Sequence, residues 1–138
     1  MKRQLPDAVT SQLDVRLVVP GDAGVPLPVT LRYDPADPYA VYATFRTPDG
    51  TVEWVFAREL LSGGLERPVG DGDVRVWPAW RAGSDVVCIA LVSPDGQALL
   101  ETAAGELEDF VSRMLAAVPQ GDESQHLDVD AAVAALLA

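Results

Sequence analysis

The chain has 138 residues, which fits one domain with a hydrophobic core, and 49% of them are hydrophobic, which argues against a disordered protein. Its formal net charge of −11 disfavours DNA, RNA and anionic lipid as partners, because affinity for phosphate comes mainly from Lys and Arg. The single cysteine, Cys88, excludes an intramolecular disulfide and a cysteine-based zinc site, and it favours a reducing cytoplasm.

Residues 1–10 are expected to form a flexible lead-in to a single domain that covers residues 11–138. Lys2 and Arg3 are not followed by an apolar segment, so this start does not predict a signal peptide. No run approaches the ~20 apolar residues that span a bilayer, and direct membrane insertion is therefore not expected.

The first half of the chain predicts four β-strands, because apolar and polar residues alternate in it with a period of two. The strands are expected at residues 12–19, 29–33, 40–46 and 51–57. Pro26 and Pro28 precede the second strand and indicate an edge or a bend there. The motif Thr47-Pro48-Asp49-Gly50 predicts a hairpin turn, since Pro presets the first turn angle and Gly supplies the left-handed one. A short helical segment at residues 58–61 follows and ends at Gly63-Gly64.

The second half predicts a similar order, with strands at residues 73–78, 86–93 and 97–102 and an amphipathic helix at residues 105–118. Ser93-Pro94-Asp95-Gly96 repeats the turn motif at a separation of 46 residues (94 − 48). Two explanations remain open, a structural duplication and the general frequency of Pro-Asp-Gly in hairpins. A polar linker at residues 120–125 leads to Asp128, an N-cap for a last short helix that is expected to dock on the domain or on a neighbouring subunit.

No motif in the chain predicts catalysis, a cofactor or a metal. His126, the single histidine, lies in a polar linker without a recognisable nucleophile motif, and Cys88 lies in the most apolar strand, where a packing role is expected. Asp71 and Asp73 flank Gly72 but lack the spacing of a calcium loop, so they indicate a turn. We therefore expect a protein that is not an enzyme.

Aromatic residues near the middle of the chain suggest a partner-binding surface. Trp77 is expected in the core, whereas residues 80–85 predict a loop on which an exposed Trp80 would be a contact residue. The candidate partner-binding residues are Trp80, Arg81, Arg58 and Glu59. These side chains offer an aromatic anchor with charged neighbours rather than reactive chemistry.

Four segments carry a family resemblance: LRYDPADPYAV (31–41), TVEWVFAR (51–58), GDVRVWP (72–78) and VVCIALVSP (86–94). Together they resemble the SsgA-like proteins of actinomycetes, which are regulators of sporulation and cell division. The similarity runs in one register through residues 13–138, and it is weak in the first dozen residues and at residues 79–85. The chain ends with features of one family member in particular: Ala116-Ala117-Val118-Pro119, Gly121, Glu123, His126 and Asp128.

The resemblance implies a non-catalytic, cytoplasmic protein at division septa. Such a protein helps to position septa and recruits the tubulin-like division GTPase FtsZ, working with an SsgA-type partner. The resemblance also implies a homotrimer and an α+β fold similar to the whirly single-stranded nucleic-acid binders. In that fold, two antiparallel β-sheets with packed helices arise from a β-β-β-β-α unit repeated twice.

Two further functions remain as alternatives. The whirly-like fold alone would suggest a single-stranded nucleic-acid-binding protein, but such proteins need a basic track with stacking aromatics. The ten basic residues of this chain are scattered, which favours a protein-interaction module. A small-molecule-binding β domain is a weaker alternative, and it would require a large apolar pocket between the sheets.

Overall fold

The computed structural model describes residues 6–19 and 24–126. Its elements are β1 (Val9–Leu17), β2 (Val25–Tyr33), β3 (Ala40–Thr47), β4 (Gly50–Ala57), α1 (Arg58–Gly64), β5 (Val74–Arg81), β6 (Ser84–Ser93), β7 (Gly96–Ala103), α2 (Ala104–Ala117) and α3 (Glu123–His126). The strand β1 begins at Val9, inside the expected lead-in. The predicted last helix, with its N-cap at Asp128, lies outside the described residues.

All seven described strands form one antiparallel sheet in the order β4-β3-β2-β1-β7-β6-β5. The two halves of the chain meet where β1 pairs with β7, with Arg16 opposite Glu101 and Leu17 opposite Leu100. The α+β class is confirmed, but the prediction of two separate sheets was wrong. Alternation along a strand shows which side chains share a face, and it contains no information about which distant strand lies alongside.

The strand–turn–strand–helix order occurs twice, as β3-β4-α1 and β6-β7-α2. The turn glycines Gly50 and Gly96 are 46 residues apart (96 − 50) and both have positive φ, 129° and 144°. The N-caps Ala57 and Ala103 have the same separation and nearly equal φ, −62° and −61°. The geometry therefore favours a structural repeat. The predicted β-β-β-β-α order holds only for the first half, because three strands precede α2 in the second.

The core lies between one face of the curled sheet and the two longer helices. The helix α2 packs on β1, β6 and β7 through its buried apolar face, which consists of Leu107, Phe110, Val111 and Met114. The helix α1 contacts both β4 and β5, the two end strands of the sheet. Two backbone hydrogen bonds between Val69 and Val76, of 2.8 and 2.9 Å, cover the free edge of β5.

The interior leaves little space for a ligand. The void inside the core measures about 20 Å³, and its lining is apolar except for Thr102. Small-molecule sites have volumes of about 300–1,000 Å³. This void gives no support to a small-molecule site in the core.

The predicted loop at residues 80–85 is instead a tight hairpin, because β5 continues to Arg81 and β6 begins at Ser84. Its two turn residues, Ala82 and Gly83, have φ values of 51° and 82°. Positive φ at both positions gives the turn type whose twist matches paired strands. Sequence reasoning missed it because Ala-Gly lacks the usual Asn-Gly or Asp-Gly signal.

The core prediction for Trp77 was wrong, whereas the buried position of Cys88 is confirmed. Trp77 is half-buried and lies on the opposite face of β5 from the core residue Val76. Cys88 is directly opposite it in β6 and is 4% exposed. Burial raises the pKa of the Cys88 thiol, and the nearby Glu101 carboxylate raises it further. Cys88 is thus a protonated packing residue on the outer face.

Candidate functional site

An open groove of about 580 Å³ separates α1, α2 and the β5–β6 hairpin, and we call it the interhelical groove. Each helix starts directly after a strand, α1 after β4 and α2 after β7, and the two helices contact each other. Apolar side chains line the groove from several elements: Leu65, Pro78, Val86, Ala104, Val111 and Leu115. Four carboxylates also line it, those of Glu59, Glu66, Asp85 and Glu108, together with the cation of Arg67.

Two of the predicted site residues lie on the side of the molecule that carries this groove. Glu59 is exposed in the first turn of α1 and lines the groove. Trp80 is 67% exposed and is paired in register with Asp85, which also lines the groove. Because Trp80 and Pro78 share a face of β5, the indole stands next to the hairpin end of the groove.

Arg81 is directed to the other face of the sheet. Its Nε lies 3.2 Å from Oε2 of Glu101, and its side chain is about half exposed. The sequence placed Arg81 next to Trp80, and the alternation of the strand separates the two side chains. A partner that contacts Trp80 from the helix side therefore does not meet Arg81 directly.

Arg58 lies in the interior, 2% exposed, and cannot offer its side chain to a partner in this conformation. Its Nη1 donates to the Tyr33 hydroxyl at 3.1 Å and to the Val118 carbonyl at 2.8 Å. Its Nη2 donates to Oε1 of Glu123 at 2.7 Å. The guanidinium also lies 5.5 Å from the centroid of the Tyr33 ring. Arg58 thus ties the start of α1 to β2 and to the segment after α2.

The partner of Arg58, Glu123, lies in the segment that was predicted to be a polar linker, and no local pattern indicated that it is buried. Its second carboxylate oxygen accepts the Gly121 N–H at 2.9 Å. The pKa of Glu123 is lowered, chiefly by a hydrogen bond from its own backbone N–H and also by Arg58 and Gly121, against the opposing effect of burial. Tyr33 donates its hydroxyl to the Pro38 carbonyl at 2.9 Å, and burial raises its pKa. The network is an ionised carboxylate held against a buried cation.

The remaining candidates for reactive chemistry are His126 and the residue types that bind metal ions. His126 is the last residue of the short helix α3, and its Nδ1 lies 3.2 Å from the carbonyl oxygen of Asp122, the residue before that helix. Over residues 6–19 and 24–126, no three side chains of His, Cys, Asp or Glu form a possible metal site. The described helices are all too short or too polar to cross a bilayer. The groove and the hairpin are suited to non-covalent docking.

Comparison with known proteins places this geometry in a family. The family model described as the Streptomyces sporulation and cell division protein SsgA matches residues 27–123. The sporulation-specific cell division protein SsgB of Streptomyces coelicolor is 56% identical over 131 residues, covering 94% of this chain and 96% of the relative. The SsgB of Frankia casuarinae is 53% identical over 132 residues, covering 95% and 92%.

Solved structures give the same result. A structure from work in which mutations in SsgB correlate to longitudinal cell division during sporulation of Streptomyces coelicolor has a TM-score of 0.86 at 55% identity. It covers 91% of this chain and 100% of that chain. An SsgA-like sporulation-specific cell division protein from Thermobifida fusca has a TM-score of 0.85 at 42% identity, covering 96% and 98%. The resemblance seen in the sequence is confirmed, and the chain belongs to the SsgA family of sporulation and cell division proteins, with SsgB among its near relatives.

Proposed function

We propose that this protein is a non-catalytic regulator of septation that recruits FtsZ to division septa during sporulation, in concert with an SsgA-type protein. The observation that carries the proposal is the 56% identity to a sporulation-specific cell division protein over almost the whole of both chains. The exposed Trp80 next to an open groove supports the part of the proposal that concerns protein binding. The protein acts in the cytoplasm, and its contacts are non-covalent.

In this proposal, Trp80 and Glu59 are the direct contacts, and Arg58 holds α1 in place from inside. Arg81 pairs with Glu101 on the other face of the sheet and is not a direct contact. An exposed Trp is the residue type that most often dominates the binding energy of an interface. Arg58 contributes indirectly by holding α1 in place, because its guanidinium donates hydrogen bonds to Tyr33, Val118 and Glu123.

A pull-down with purified FtsZ and an SsgA-type protein tests the proposal. The Trp80→Ala variant is expected to weaken binding at least tenfold, since truncating a central Trp costs about 2 kcal/mol or more. Tyr39→Ala is the matched control, because Tyr39 is also aromatic and 50% exposed but lies in the β2–β3 connection. Absence of binding by the unaltered protein to either partner would refute the recruitment role.

We further propose that the protein works as a homotrimer, as its family resemblance implies. Within the described residues, β4 is an end strand of the sheet, and Val52 and Val55 on it are 47% and 51% exposed. Open strand edges with apolar residues promote pairing between chains, and closed symmetry is the usual result. Light scattering is expected to give about three times the chain mass of 14.7 kDa. A single species with the mass of one chain would exclude the trimer.

A whirly-like fold would allow single-stranded nucleic-acid binding as the alternative function. The net charge of −11 opposes it, and Arg58 and Arg113 donate their hydrogen bonds within the chain. We expect no binding of labelled single-stranded DNA by fluorescence anisotropy at low salt. Micromolar affinity that falls steeply with added salt would favour the alternative.

A further inference from the structure

The interhelical groove is lined by half-buried apolar side chains, which we call the floor, and by exposed carboxylates, which we call the border. This combination specifies a type of ligand. We propose that it binds a basic amphipathic helical segment of the division partner, an inference that rests on the proposed function. The apolar stripe of the segment would face the floor, and its Lys or Arg side chains would face the carboxylates. This mode of binding places an amphipathic helix in a hydrophobic groove.

The floor explains why the ligand is amphipathic. Leu65, Pro78, Val86, Ala104 and Leu115 are all only half-buried, although they come from different parts of the chain and converge on one cavity. Each would gain by losing water, at about 25 cal/mol per Å² of apolar surface covered. Because these side chains line one groove, a single ligand could cover several of them together.

The border explains why the ligand is basic. Glu59, Glu66, Asp85 and Glu108 contribute four negative charges, and among the described residues Arg67 is the only cation that lines the groove. Arg67 lies 4.0 Å from Glu66 and is largely exposed, so it neutralises the border only in part. Opposite charge on a partner would raise the association rate and select its orientation.

The charge also argues against the chain's own C-terminal segment as the occupant. Gln120 lines the groove, and residues 127–138 begin seven residues after Gln120 in the sequence (127 − 120). That segment has apolar residues at helical spacing, but its charged residues are Asp128 and Asp130, and it has no Lys or Arg. The carboxylates of Asp128 and Asp130 would be repelled by the carboxylates of the border. A separate, basic partner satisfies both the floor and the border.

The direct test uses a fluorescent 14-residue peptide with Leu at helical spacing and Lys at the other positions. A twin with Glu in place of every Lys and a second peptide with Ser in place of every Leu are the peptide controls. At physiological salt, anisotropy is expected to show at least tenfold tighter binding of the Leu/Lys peptide to the full chain than of either control. Equal binding of the Ser peptide would overturn the inference, because it would reduce the interaction to bulk charge.

Two protein variants locate the site. Glu59→Lys with Glu108→Lys reverses two border charges, and Asp14→Lys with Glu53→Lys makes the same change in net charge at exposed positions on the other face of the sheet. The border variant is expected to lose at least tenfold in peptide affinity, and the control variant at most twofold. Equal losses in both would overturn the inference. Unchanged thermal unfolding midpoints would show that the variants fold.

The same variants, tested in the pull-down with FtsZ and an SsgA-type protein, distinguish the inference about the groove from the proposed recruitment role. Loss of both the peptide and a partner by the border variant alone supports the groove as the partner site. If the border variant retains both partners at full strength, the inference fails and the recruitment role stands. If the unaltered protein binds the peptide through the border but neither partner, the recruitment role fails.

Discussion

The ion pair between Arg58 and Glu123 provides the most demanding test of how this fold is held together. Glu123→Gln preserves the shape of the side chain and removes its charge. Besides the hydrogen bond from its own backbone N–H, the carboxylate accepts hydrogen bonds from two other donors, Arg58 at 2.7 Å and the Gly121 N–H at 2.9 Å. A glutamine has one oxygen, so its NH2 group must face one of these two donors. The variant therefore loses one acceptor and leaves the guanidinium without a counter-charge.

The expected loss follows from the burial of both partners. The side chains of Arg58 and Glu123 are 2% and 10% exposed, so solvent cannot replace the missing carboxylate. Breaking a buried pair by removing one partner costs about 3–5 kcal/mol, and a hydrogen bond to a charged group contributes about 1.5–3 kcal/mol. Since the guanidinium keeps Tyr33 and Val118 as acceptors, we expect a loss of about 2–4 kcal/mol in the free energy of unfolding.

Urea unfolding followed by circular dichroism at pH 7 measures this loss. Glu66→Gln is the matched control, because the Glu66 side chain is 80% exposed and its ion pair with Arg67 is 4.0 Å long. The control is expected to stay within about 0.5 kcal/mol of the unaltered protein. A Glu123→Gln variant as stable as the control would refute the view that the pair supports the fold.

The pH dependence gives the same ion pair a second readout. The folded-state pKa of Glu123 is lowered, so its contribution is fully present above the unfolded value of about 4.3 and disappears as pH falls through the lower folded value. The stability difference between the protein and Glu123→Gln is therefore expected to be constant near neutral pH and to shrink in acid. A difference that grew on acidification would contradict the assignment.

Four other substitutions test the packing by urea unfolding. Gly64→Ala would place a Cβ inside Val76 and is expected to cost about 1–3 kcal/mol, whereas Gly105→Ala, with open space around it, is expected to gain up to ~1 kcal/mol. Thr102→Val should stabilise by about 1–2 kcal/mol, because the buried hydroxyl has no partner in the described part of the chain. Cys88→Ser should cost roughly 1–3 kcal/mol and leave partner binding intact; loss of binding at equal stability would reveal a role for the thiol.

The local elements could be predicted from the sequence because their causes are local. The Pro-Asp-Gly turns determine the β3–β4 and β6–β7 hairpins, and the apolar spacing of residues 105–118 determines α2 to within one residue at each end. The β5–β6 hairpin was not predicted because its turn contains Ala82, and alanine rarely adopts a positive φ.

The interactions that define the site depend on distant parts of the chain. Arg58 and Glu123 are 65 residues apart, and the groove draws its lining from α1, α2 and the β5–β6 hairpin. The periodicity of apolar residues within a segment does not indicate contacts between segments that are distant in the sequence. It could suggest Trp80 and Glu59 as surface residues, and it could not distinguish the buried Arg58 from its exposed neighbour.

The two repeat units differ at a residue that lines the groove. Leu61 and Leu107 are 46 residues apart, and both are buried, so the two strand–turn–strand–helix units fill the core in an equivalent way. They differ at the first residue of each helix. The first unit has Arg58, whose long side chain is buried and anchored by a residue beyond α2, whereas the second has Ala104, which lines the groove. The position equivalent to the buried Arg58 therefore lines the groove in the second unit, and the groove that we propose as a docking site includes a residue at which the two units differ.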